Sequence, residues 1–440
     1  MKQVLVVGAA RSGSAVAHLL VQEGFEVTLT DMKEVENKAE MHELGIKVYD
    51  GGHPDLLKEV NWDFIVKNPG IPYHAPFIKY FVDKQTPIYT EVEVASWYAP
   101  DFVYAAVTGT NGKTTITSIL YELLKYRGKA LVAGNIGTPL SELALKYRDE
   151  AHDVAIELSN FQLLGCYRFR PHISVVCNLS PDHLDYMKSV DAYYASKMRI
   201  YHNCQKDDIF LRNVDDEAVM QYAQNITCRI IDFSLTRNDV DLYYEDGKVY
   251  YQDKVLFETS ILKIVGMHNV SNAMVAACMA LEMGVSEEDI RVGLSQFKSV
   301  EHRLEYITEV HDVKFFNDSK ATNPEAVVPA LKSFDAHIRL LAGGYDKQLS
   351  FDILKQFDER VDCCYAFGAV AQQFKNIFSK VIICKDMQEA LDRAIKDAKK
   401  GDTILLSPAC ASYDQFKSYE QRGEIFKEYV SAYAKQEGVE

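Results

Sequence analysis

A Gly-Lys-Thr turn between a strand pattern and a helix pattern constrains the fold of this chain more than any other feature. Residues 108–115 read Thr-Gly-Thr-Asn-Gly-Lys-Thr-Thr, after the apolar run Val103–Val107 and before the helical pattern Thr115–Tyr126. A strand, a glycine-rich turn and a helix in this order form half of a βαβ unit, which requires a parallel sheet. The segment therefore predicts a parallel α/β domain.

The residue types of this turn point to phosphate binding. Glycines let backbone amides approach phosphate oxygens, the lysine supplies positive charge, and the threonine hydroxyl suits Mg²⁺. Two residues separate the glycines, whereas the common P-loop has four, and a turn without a ligand remains the alternative. The candidate phosphate-binding residues are Gly109, Thr110, Asn111, Gly112, Lys113, Thr114 and Thr115.

Two further strand ends are predicted at the same edge of this sheet. The strand Val154–Ile156 delivers Glu157, and the strand Ile173–Cys177 delivers a loop that contains His183. A carboxylate and an imidazole beside phosphates are suitable ligands for Mg²⁺. Taken separately, Glu157 is also explained as a strand-end ion pair and His183 as a hydrogen-bonded loop histidine.

A second glycine-rich turn follows the first strand of the chain. Gly8-Ala-Ala-Arg-Ser-Gly13 comes after Val4–Val7 and leads into the helical pattern Ser14–Glu23, and Asp31 ends the next strand. The pattern is typical of a dinucleotide-binding fingerprint, but Ala10 stands at its middle glycine. A nucleotide-sugar, a redox cofactor and a plain βαβ turn all remain open, with Asp31 or Lys33 near a ribose or base in the first two.

Three segments repeat strand, turn and helix, and 440 residues are too many for one hydrophobic core. We predict an α/β protein of three domains, each with a largely parallel sheet. The first is Rossmann-like, the second resembles a P-loop ATPase domain with an antiparallel region at 239–257, and the third is Rossmann-like. Their predicted ranges are 1–92, 93–299 and 300–440.

Polar residues cluster at strand ends in the third segment as well. Arg303 and Lys320 are suited to neutralising phosphate, with Asp318 near a ribose or metal. Lys347 and Ser412 end later strands and are placed to hold a carboxylate. Before this segment, Asn269 begins a helix, where a contact to nucleotide and a helix-capping role are equally good explanations.

Bulk properties exclude some function classes. A net charge of −15 argues against general affinity for nucleic acid or anionic membranes. Nine cysteines without metal-binding spacing are typical of reduced thiols. The apolar run Val4–Val7 is too short for an export signal, and no stretch has the length of a membrane span. We therefore expect a cytoplasmic location.

Taken together, the motifs resemble the Mur ligases of peptidoglycan synthesis along essentially the whole chain. The matching motifs are TGTNGKTT at 108–115, GNIG at 134–137, ELSNFQL at 157–163, NLSPDHLD at 178–185, HNVSN at 268–272, EHRLE at 301–305, NDSKATNP at 317–324, GGYDK at 343–347 and LLSPACASYDQFKSYEQRG at 405–423. The last motif is similar to the D-glutamate-adding branch of that family.

This resemblance implies an ADP-forming amide ligase with three substrates: ATP, UDP-N-acetylmuramoyl-L-alanine and D-glutamate. It implies that the alanine carboxylate is phosphorylated and that the D-glutamate amine then displaces phosphate. It also implies two Mg²⁺ ions, with Mn²⁺ as an alternative, and a carbamate on Lys197, whose spacing alone indicates an ordinary helix lysine. No nucleic acid, no membrane insertion and a monomer are expected.

The resemblance carries over to individual positions. The implied catalytic residues are Lys113, Glu157, His183, Lys197 and Arg303, and the implied metal ligands are Thr114, Glu157, His183 and carbamylated Lys197. Outside the turn, the implied ATP positions are Asn269, Arg303, Asp318 and Lys320. The implied UDP-substrate positions are Arg11, Ser12, Asp31, Lys33, Asn68, Gly70, Asn135 and His183. The implied D-glutamate positions are Thr322, Lys347, Ser412 and Tyr419, where some relatives have phenylalanine at the last.

Three rival functions remain at this stage. Another amide ligase of the family, such as a diamino-acid ligase or folylpolyglutamate synthase, differs in its acceptor. The C-terminal motif and the lack of an Asp-Asn-Pro-Arg tetrapeptide favour D-glutamate over a diamino acid. An NAD-linked dehydrogenase would use the Gly8–Gly13 turn, and a non-catalytic nucleotide-binding module would not need the lysine, carboxylate and imidazole of the second segment.

Overall fold

The computed structural model describes residues 2–181, 187 and 189–439. The chain divides into two compact units, one formed by Met1–Ser260 with Ser271–Leu294 and one by Ile261–Val270 with Ser295–Glu440. The first unit contains two sheets and the second contains one. The predicted α/β class with three largely parallel sheets is confirmed, whereas the predicted domain limits stay predictions.

The first sheet is parallel throughout, in the order β3-β2-β1-β4-β5. Its strands are β1 Gln3–Val7, β2 Glu26–Thr30, β3 Lys47–Tyr49, β4 Phe64–Lys67 and β5 Ile88–Tyr89. Its helices are α1 Arg11–Gln22, α2 Lys38–Glu43, α3 Leu56–Glu59, α4 Pro76–Asp83 and α5 Glu91–Ser96. The chain adds strands on one side of β1 and then on the other, which makes β1 and β4 the switch point where ligands bind in such sheets.

The second sheet has nine strands in the order β14-β13-β12-β11-β10-β9-β6-β8-β7. They are β6 Phe102–Thr108, β7 Ala130–Gly134, β8 His152–Glu157, β9 Ile173–Val176, β10 Ile209–Asn213, β11 Arg229–Ser234, β12 Leu242–Glu245, β13 Lys248–Tyr251 and β14 Lys254–Glu258. Seven are parallel, and the last two pair antiparallel, as predicted for 239–257.

Helices cover this sheet and continue to the end of the segment. They are α6 Lys113–Leu124, α7 Leu140–Tyr147, α8 Asn160–Leu163, α9 Val190–Met198, α10 Glu217–Tyr222, α11 Met267–Glu282 and α12 Glu287–Gln296. The predicted helix start at Thr115 was wrong by two residues, and the start of α1, predicted at Ser14, was wrong by three. Both first turns are polar, so apolar periodicity does not register them.

The third sheet has the order β15-β16-β20-β17-β18-β19, and only β15 runs antiparallel to its neighbour. Its strands are β15 Glu305–Val310, β16 Val313–Asn317, β17 Ile338–Gly343, β18 Val361–Phe367, β19 Val381–Ile383 and β20 Thr403–Leu406. The helices are α13 Pro324–Lys332, α14 Met387–Asp397 and α15 Tyr419–Gln436. Strands β17 and β20 are buried along their whole length.

Two predictions about the whole chain can be compared with the structure. All nine cysteines lie within the described residues, and none of them forms a disulfide bond. Among the described helices, none combines the length and the apolar character that crossing a membrane requires.

Candidate functional site

The glycine-rich turn after β6 is fixed by the end of β9. The backbone N–H of Thr110 donates to the carbonyl oxygen of Asn178 at 2.9 Å, and that of Asn111 donates to Asn178 Oδ1 at 2.8 Å. Asn178 Nδ2 in turn donates to the carbonyl oxygen of Asn111 at 3.0 Å. Strands β6 and β9 are parallel neighbours, so both ends meet at one edge and hold the turn in place.

Gly112 sets the direction in which α6 leaves the turn. Its φ is +86°, a left-handed conformation that favours glycine. A Cβ atom at this position would also lie 2.5 Å from Asn272 Oδ1. The first turn of a helix has N–H groups without intrahelical partners, which makes the start of α6 suitable for an anion.

Two lysines converge on the same carbonyl oxygen of this turn. Lys113 Nζ donates to the oxygens of Gly109 at 2.9 Å and Thr110 at 2.8 Å, and Lys197 Nζ donates to that of Gly109 at 2.7 Å. Lys197 is almost fully buried, with its ammonium 4.7 Å from the centre of the Tyr193 ring. The shared oxygen brings two ammonium groups close together, an arrangement that favours an anion at this point.

Glu157 is the last residue of β8, which lies between β6 and β7 and ends at the same edge. Its residue pairs with Val107 of β6 and Gly134 of β7, and its side chain is 1% exposed. Oε1 accepts a hydrogen bond from Asn135 Nδ2 at 2.8 Å, whereas Oε2 is buried without a hydrogen-bond partner among the described residues. A buried carboxylate oxygen in this state fits a divalent cation, whose preferred ligands are such oxygens.

The other predicted metal ligands divide into two cases. Thr114 is buried in the first turn of α6, beside Lys113, as the motif predicts. His183 lies outside the described residues. Among the described residues, Glu157 therefore offers a buried carboxylate oxygen that fits a cation, and Thr114 stays a predicted ligand.

The first turn of the chain is tied to the end of β2. Asp31 Oδ2 accepts from the N–H of Ala9 at 2.6 Å, and Oδ1 accepts from the N–H of Lys33 at 2.8 Å. Asp31 thus holds two backbone segments together in addition to the ribose contact predicted for it. A cavity of about 600 Å³ beside it is lined by Arg11 and Lys33 among other residues. Ser12 lies in the first turn of α1.

Two loops adjoin this first turn from opposite sides. A Cβ atom on Gly8 would lie 2.6 Å from Asn68 Cβ, so the segment after β4 packs directly against the turn. Within that segment, the N–H of Gly70 donates to Asn68 Oδ1 at 3.0 Å. Arg11 Nη1 donates to the carbonyl oxygen of Gly137 at 3.3 Å, which connects the turn to the loop that carries Asn135.

The second unit has its own cluster at the carboxyl ends of β16 and β20. Asp318 accepts from the N–H of Leu304 at 3.1 Å and from Ser407 Oγ at 2.6 Å. Burial raises the pKa of Asp318 to about 7, although Ser407, Leu304, Arg303 and Arg422 act in the opposite direction.

Further predicted residues lie around this cluster within the second unit. The Lys320 ammonium is 5.7 Å from the centre of the Tyr419 ring, and Lys347 Nζ donates to the carbonyl oxygen of Thr322 at 3.4 Å. Ser412 is 2% exposed, in the segment that follows β20. Asn269 Nδ2 donates to the carbonyl oxygen of Val265 at 2.8 Å. In a helix N-cap the side-chain oxygen would instead accept from a backbone N–H, so this bond is not a cap.

Comparisons with known proteins identify the family to which this chain belongs. Residues 107–280 match the Mur ligase middle domain, and residues 302–410 match the Mur ligase glutamate ligase domain. The UDP-N-acetylmuramoylalanine–D-glutamate ligase of Geobacillus sp. (strain WCH70) is 40% identical over 97% of this chain and 96% of that protein. The chain belongs to the Mur ligase family. The ligase of the same name from Geobacillus kaustophilus (strain HTA426) is 39% identical over the same shares of both chains.

Solved structures agree with the Mur ligase fold. The UDP-N-acetylmuramate–alanine ligase MurC of Thermotoga maritima matches 98% of this chain and 100% of its own, with a TM-score of 0.60 and 19% sequence identity. Mur ligases use ATP, and the turn at 108–115 lies within the matched middle domain.

Three residues had no role predicted from the sequence, although the structure gives them distinctive contacts or burial. Asn178 fixes the glycine-rich turn, and its signal was its place directly after a strand at the same edge. Arg422 is fully buried and donates to Ser319 Oγ at 2.9 Å and to the carbonyl oxygen of Cys410 at 3.0 Å. Lys67 ends the apolar strand β4 with a buried charge, a signal visible in the sequence.

Proposed function

We propose that this chain is an ADP-forming ligase that joins D-glutamate to UDP-N-acetylmuramoyl-L-alanine in the synthesis of peptidoglycan precursors. The observation that carries the proposal is the set of relatives with that name, which match about 97% of the chain at 37–40% identity. The glycine-rich turn with Lys113 and the buried carboxylate of Glu157 support the ATP-consuming half of the reaction.

The reaction needs activation because a carboxylate is a poor acyl donor. One oxygen of the alanine carboxylate attacks the γ-phosphorus of ATP, and ADP leaves. The D-glutamate amine then attacks the carbonyl carbon of the acyl phosphate, loses a proton, and expels phosphate that keeps the carboxylate oxygen. Both steps gather negative charge near the phosphates, which Lys113 and Arg303 stabilise electrostatically.

The proposal assigns two groups of residues to ATP. Gly109, Thr110, Asn111, Gly112, Lys113, Thr114 and Thr115 would bind the phosphates, and the other proposed ATP positions are Asn269, Arg303, Asp318 and Lys320. The support for the turn is its fixed geometry and the amide-bearing start of α6. The support for the second group is the clustering of Asp318 and Lys320 at one sheet edge.

We assign divalent cations to this site, with Mg²⁺ as the physiological ion and Mn²⁺ as a substitute. Thr114 and Glu157 would hold one ion, and His183 with Lys197 as a carbamate would hold the second. Bound cations would supply charge neutralisation for the transferring phosphoryl group. The buried Glu157 oxygen supports the first assignment. The second follows from the family resemblance, and Lys197 lies at the same turn, where its Nζ donates to the carbonyl oxygen of Gly109 at 2.7 Å.

The other substrates are assigned to two further groups of residues. The nucleotide-sugar is assigned to the switch point of the first sheet, with Arg11, Ser12, Asp31, Lys33, Asn68 and Gly70 as its proposed contacts and with Asn135 and His183 towards its reacting end. Arg11, Asp31 and Lys33 line the cavity there. D-Glutamate takes Thr322, Lys347, Ser412 and Tyr419. The lysine is suited to holding a carboxylate of the amino acid.

The setting of this activity is also a proposal. We expect the enzyme to act as a monomer in the cytoplasm, without nucleic acid or membrane insertion. Its product would feed cell-wall synthesis, so loss of the activity would disturb cell shape and cell division.

A phosphate-release assay with a panel of acceptors tests the function. With ATP, Mg²⁺ and UDP-N-acetylmuramoyl-L-alanine present, we expect phosphate release with D-glutamate and none with L-alanine, L-lysine or a diaminopimelate. Release with a diamino acid but not with D-glutamate would assign the chain to another acceptor class of the family. NADH turnover without ATP would refute the ligase.

A further inference from the structure

A buried lysine lies under the crevice assigned to the nucleotide-sugar. Lys67 is the last residue of β4, and its side chain is 0% exposed. Its ammonium lies 4.6 Å from the centre of the Tyr73 ring. Burying a charge is unfavourable unless polar groups compensate, and an apolar side chain would fill the same volume without that penalty. The lysine therefore calls for an explanation other than packing.

The ammonium group donates hydrogen bonds to backbone oxygens of the segment that follows Lys67 in the chain. Lys67 Nζ donates to the carbonyl oxygens of Asn68 at 3.1 Å, Pro69 at 3.3 Å and Ile71 at 2.7 Å. A lysine ammonium has three N–H donors, and each of these oxygens lies within hydrogen-bond distance of it. Burial lowers the pKa of Lys67 to about 7.

The sequence of this segment explains why it needs such a donor. Asn68-Pro-Gly-Ile-Pro72 contains two prolines, which have no backbone N–H. The segment is partly exposed, with Gly70 at the surface. A carbonyl oxygen that the fold shields from water needs a partner, and a turn with two prolines supplies fewer N–H donors from its own backbone. The same segment packs against Gly8, where a Cβ atom would lie 2.6 Å from Asn68 Cβ.

We propose that Lys67 is a positioning residue for nucleotide-sugar binding, which sets the 68–71 turn against the Gly8 turn through three carbonyl oxygens. The proposal rests on the assignment of the nucleotide-sugar to this crevice. Lys67 acts through Asn68 and Gly70 and does not itself contact the ligand. Its loss should weaken binding of the nucleotide-sugar and leave the sites for ATP and D-glutamate unchanged.

The test compares Lys67→Met with Lys84→Met, a matched control in the same sheet domain. Lys84 is exposed, yet its ammonium also lies 4.6 Å from a tyrosine ring, that of Tyr80, and donates to the carbonyl oxygen of Lys58. For Lys67→Met we expect the KM for UDP-N-acetylmuramoyl-L-alanine to rise at least tenfold. The KM values for ATP and D-glutamate should stay within twofold, and Lys84→Met should match the wild type.

A second variant and a binding measurement make the test independent of misfolding and of turnover. Lys67→Gln keeps an N–H₂ donor and should give a KM between those of the wild type and Lys67→Met. Calorimetry with the nucleotide-sugar alone, without ATP, measures the effect of Lys67 even if turnover is absent, whereas turnover of the wild type tests the proposed function. Equal rises of all three KM values, an unchanged nucleotide-sugar KM in folded Lys67→Met, or failure of both variants to fold would each overturn the proposal.

Discussion

Replacing Glu157 by glutamine should separate activity from stability. The substitution keeps the volume of the side chain and the Oε1 atom, which in the wild type accepts from Asn135 Nδ2 at 2.8 Å. It replaces the buried Oε2 by an uncharged N–H₂ group. The variant loses the oxygen proposed as a cation ligand, and a buried carboxylate oxygen is removed at the same time. The account therefore predicts a large fall in kcat without a fall in stability.

The magnitudes follow from the two environments of the side chain. Loss of one preorganised electrostatic group in an active site lowers kcat about 10²–10³-fold, which corresponds to about 2.7–4 kcal/mol. A buried polar atom without a partner costs about 1–3 kcal/mol, and more when it carries charge. The glutamine variant should thus unfold with a free energy equal to that of the wild type or higher by on the order of 1 kcal/mol.

Phosphate release under saturating substrates measures kcat, and thermal unfolding of the same preparations measures stability. Glu91→Gln is the control, because Glu91 is also a buried carboxylate and accepts from Ser141 N at 2.5 Å and Ser141 Oγ at 2.6 Å. That variant should keep kcat within about threefold, since no transition-state charge is involved. A kcat for Glu157→Gln within tenfold of the wild type, or a clear fall in its unfolding midpoint, would refute the reasoning.

Two other substitutions extend the account. Lys197→Ala should lose most turnover and retain ATP binding by calorimetry, because the loss falls on charge placement around the phosphates; wild-type rates would defeat the carbamate assignment. Asp318→Asn should change the pH dependence of stability. Burial raises the pKa of Asp318 to about 7, so the folded chain binds this proton more tightly than the unfolded chain. The stability of the wild type therefore falls as the pH rises from about 4 to about 7. The unfolding midpoint of the wild type relative to the variant should fall across that range, and parallel midpoints would contradict the raised pKa.

The fold was predictable where the chain repeats a simple pattern. Parallel strands such as Val4–Val7 are apolar on both faces and end in turns, so their positions along the chain can be predicted from the sequence. Helix starts were less predictable, because the first turns of α1 and α6 are polar and carry no apolar periodicity. The pairing order of nine strands in the central sheet depends on long-range contacts that no local pattern encodes.

The candidate site was predictable where a residue type and a strand end coincide. Lys113 and Glu157 meet at one sheet edge because parallel strands end on the same side. The supporting contacts were not predictable in the same way. Asp31 binds two backbone N–H groups, and Lys67 binds three carbonyl oxygens, because loops distant in sequence or rich in proline come together in the fold.

The fate of one oxygen atom tests the central claim most directly. UDP-N-acetylmuramoyl-L-alanine labelled with ¹⁸O in both oxygens of the alanine carboxylate is converted with ATP, Mg²⁺ and D-glutamate, and the released phosphate is analysed by mass spectrometry. Activation through an acyl phosphate predicts one ¹⁸O atom in each phosphate and one in the new amide. Unlabelled phosphate released in step with amide formation would contradict the account.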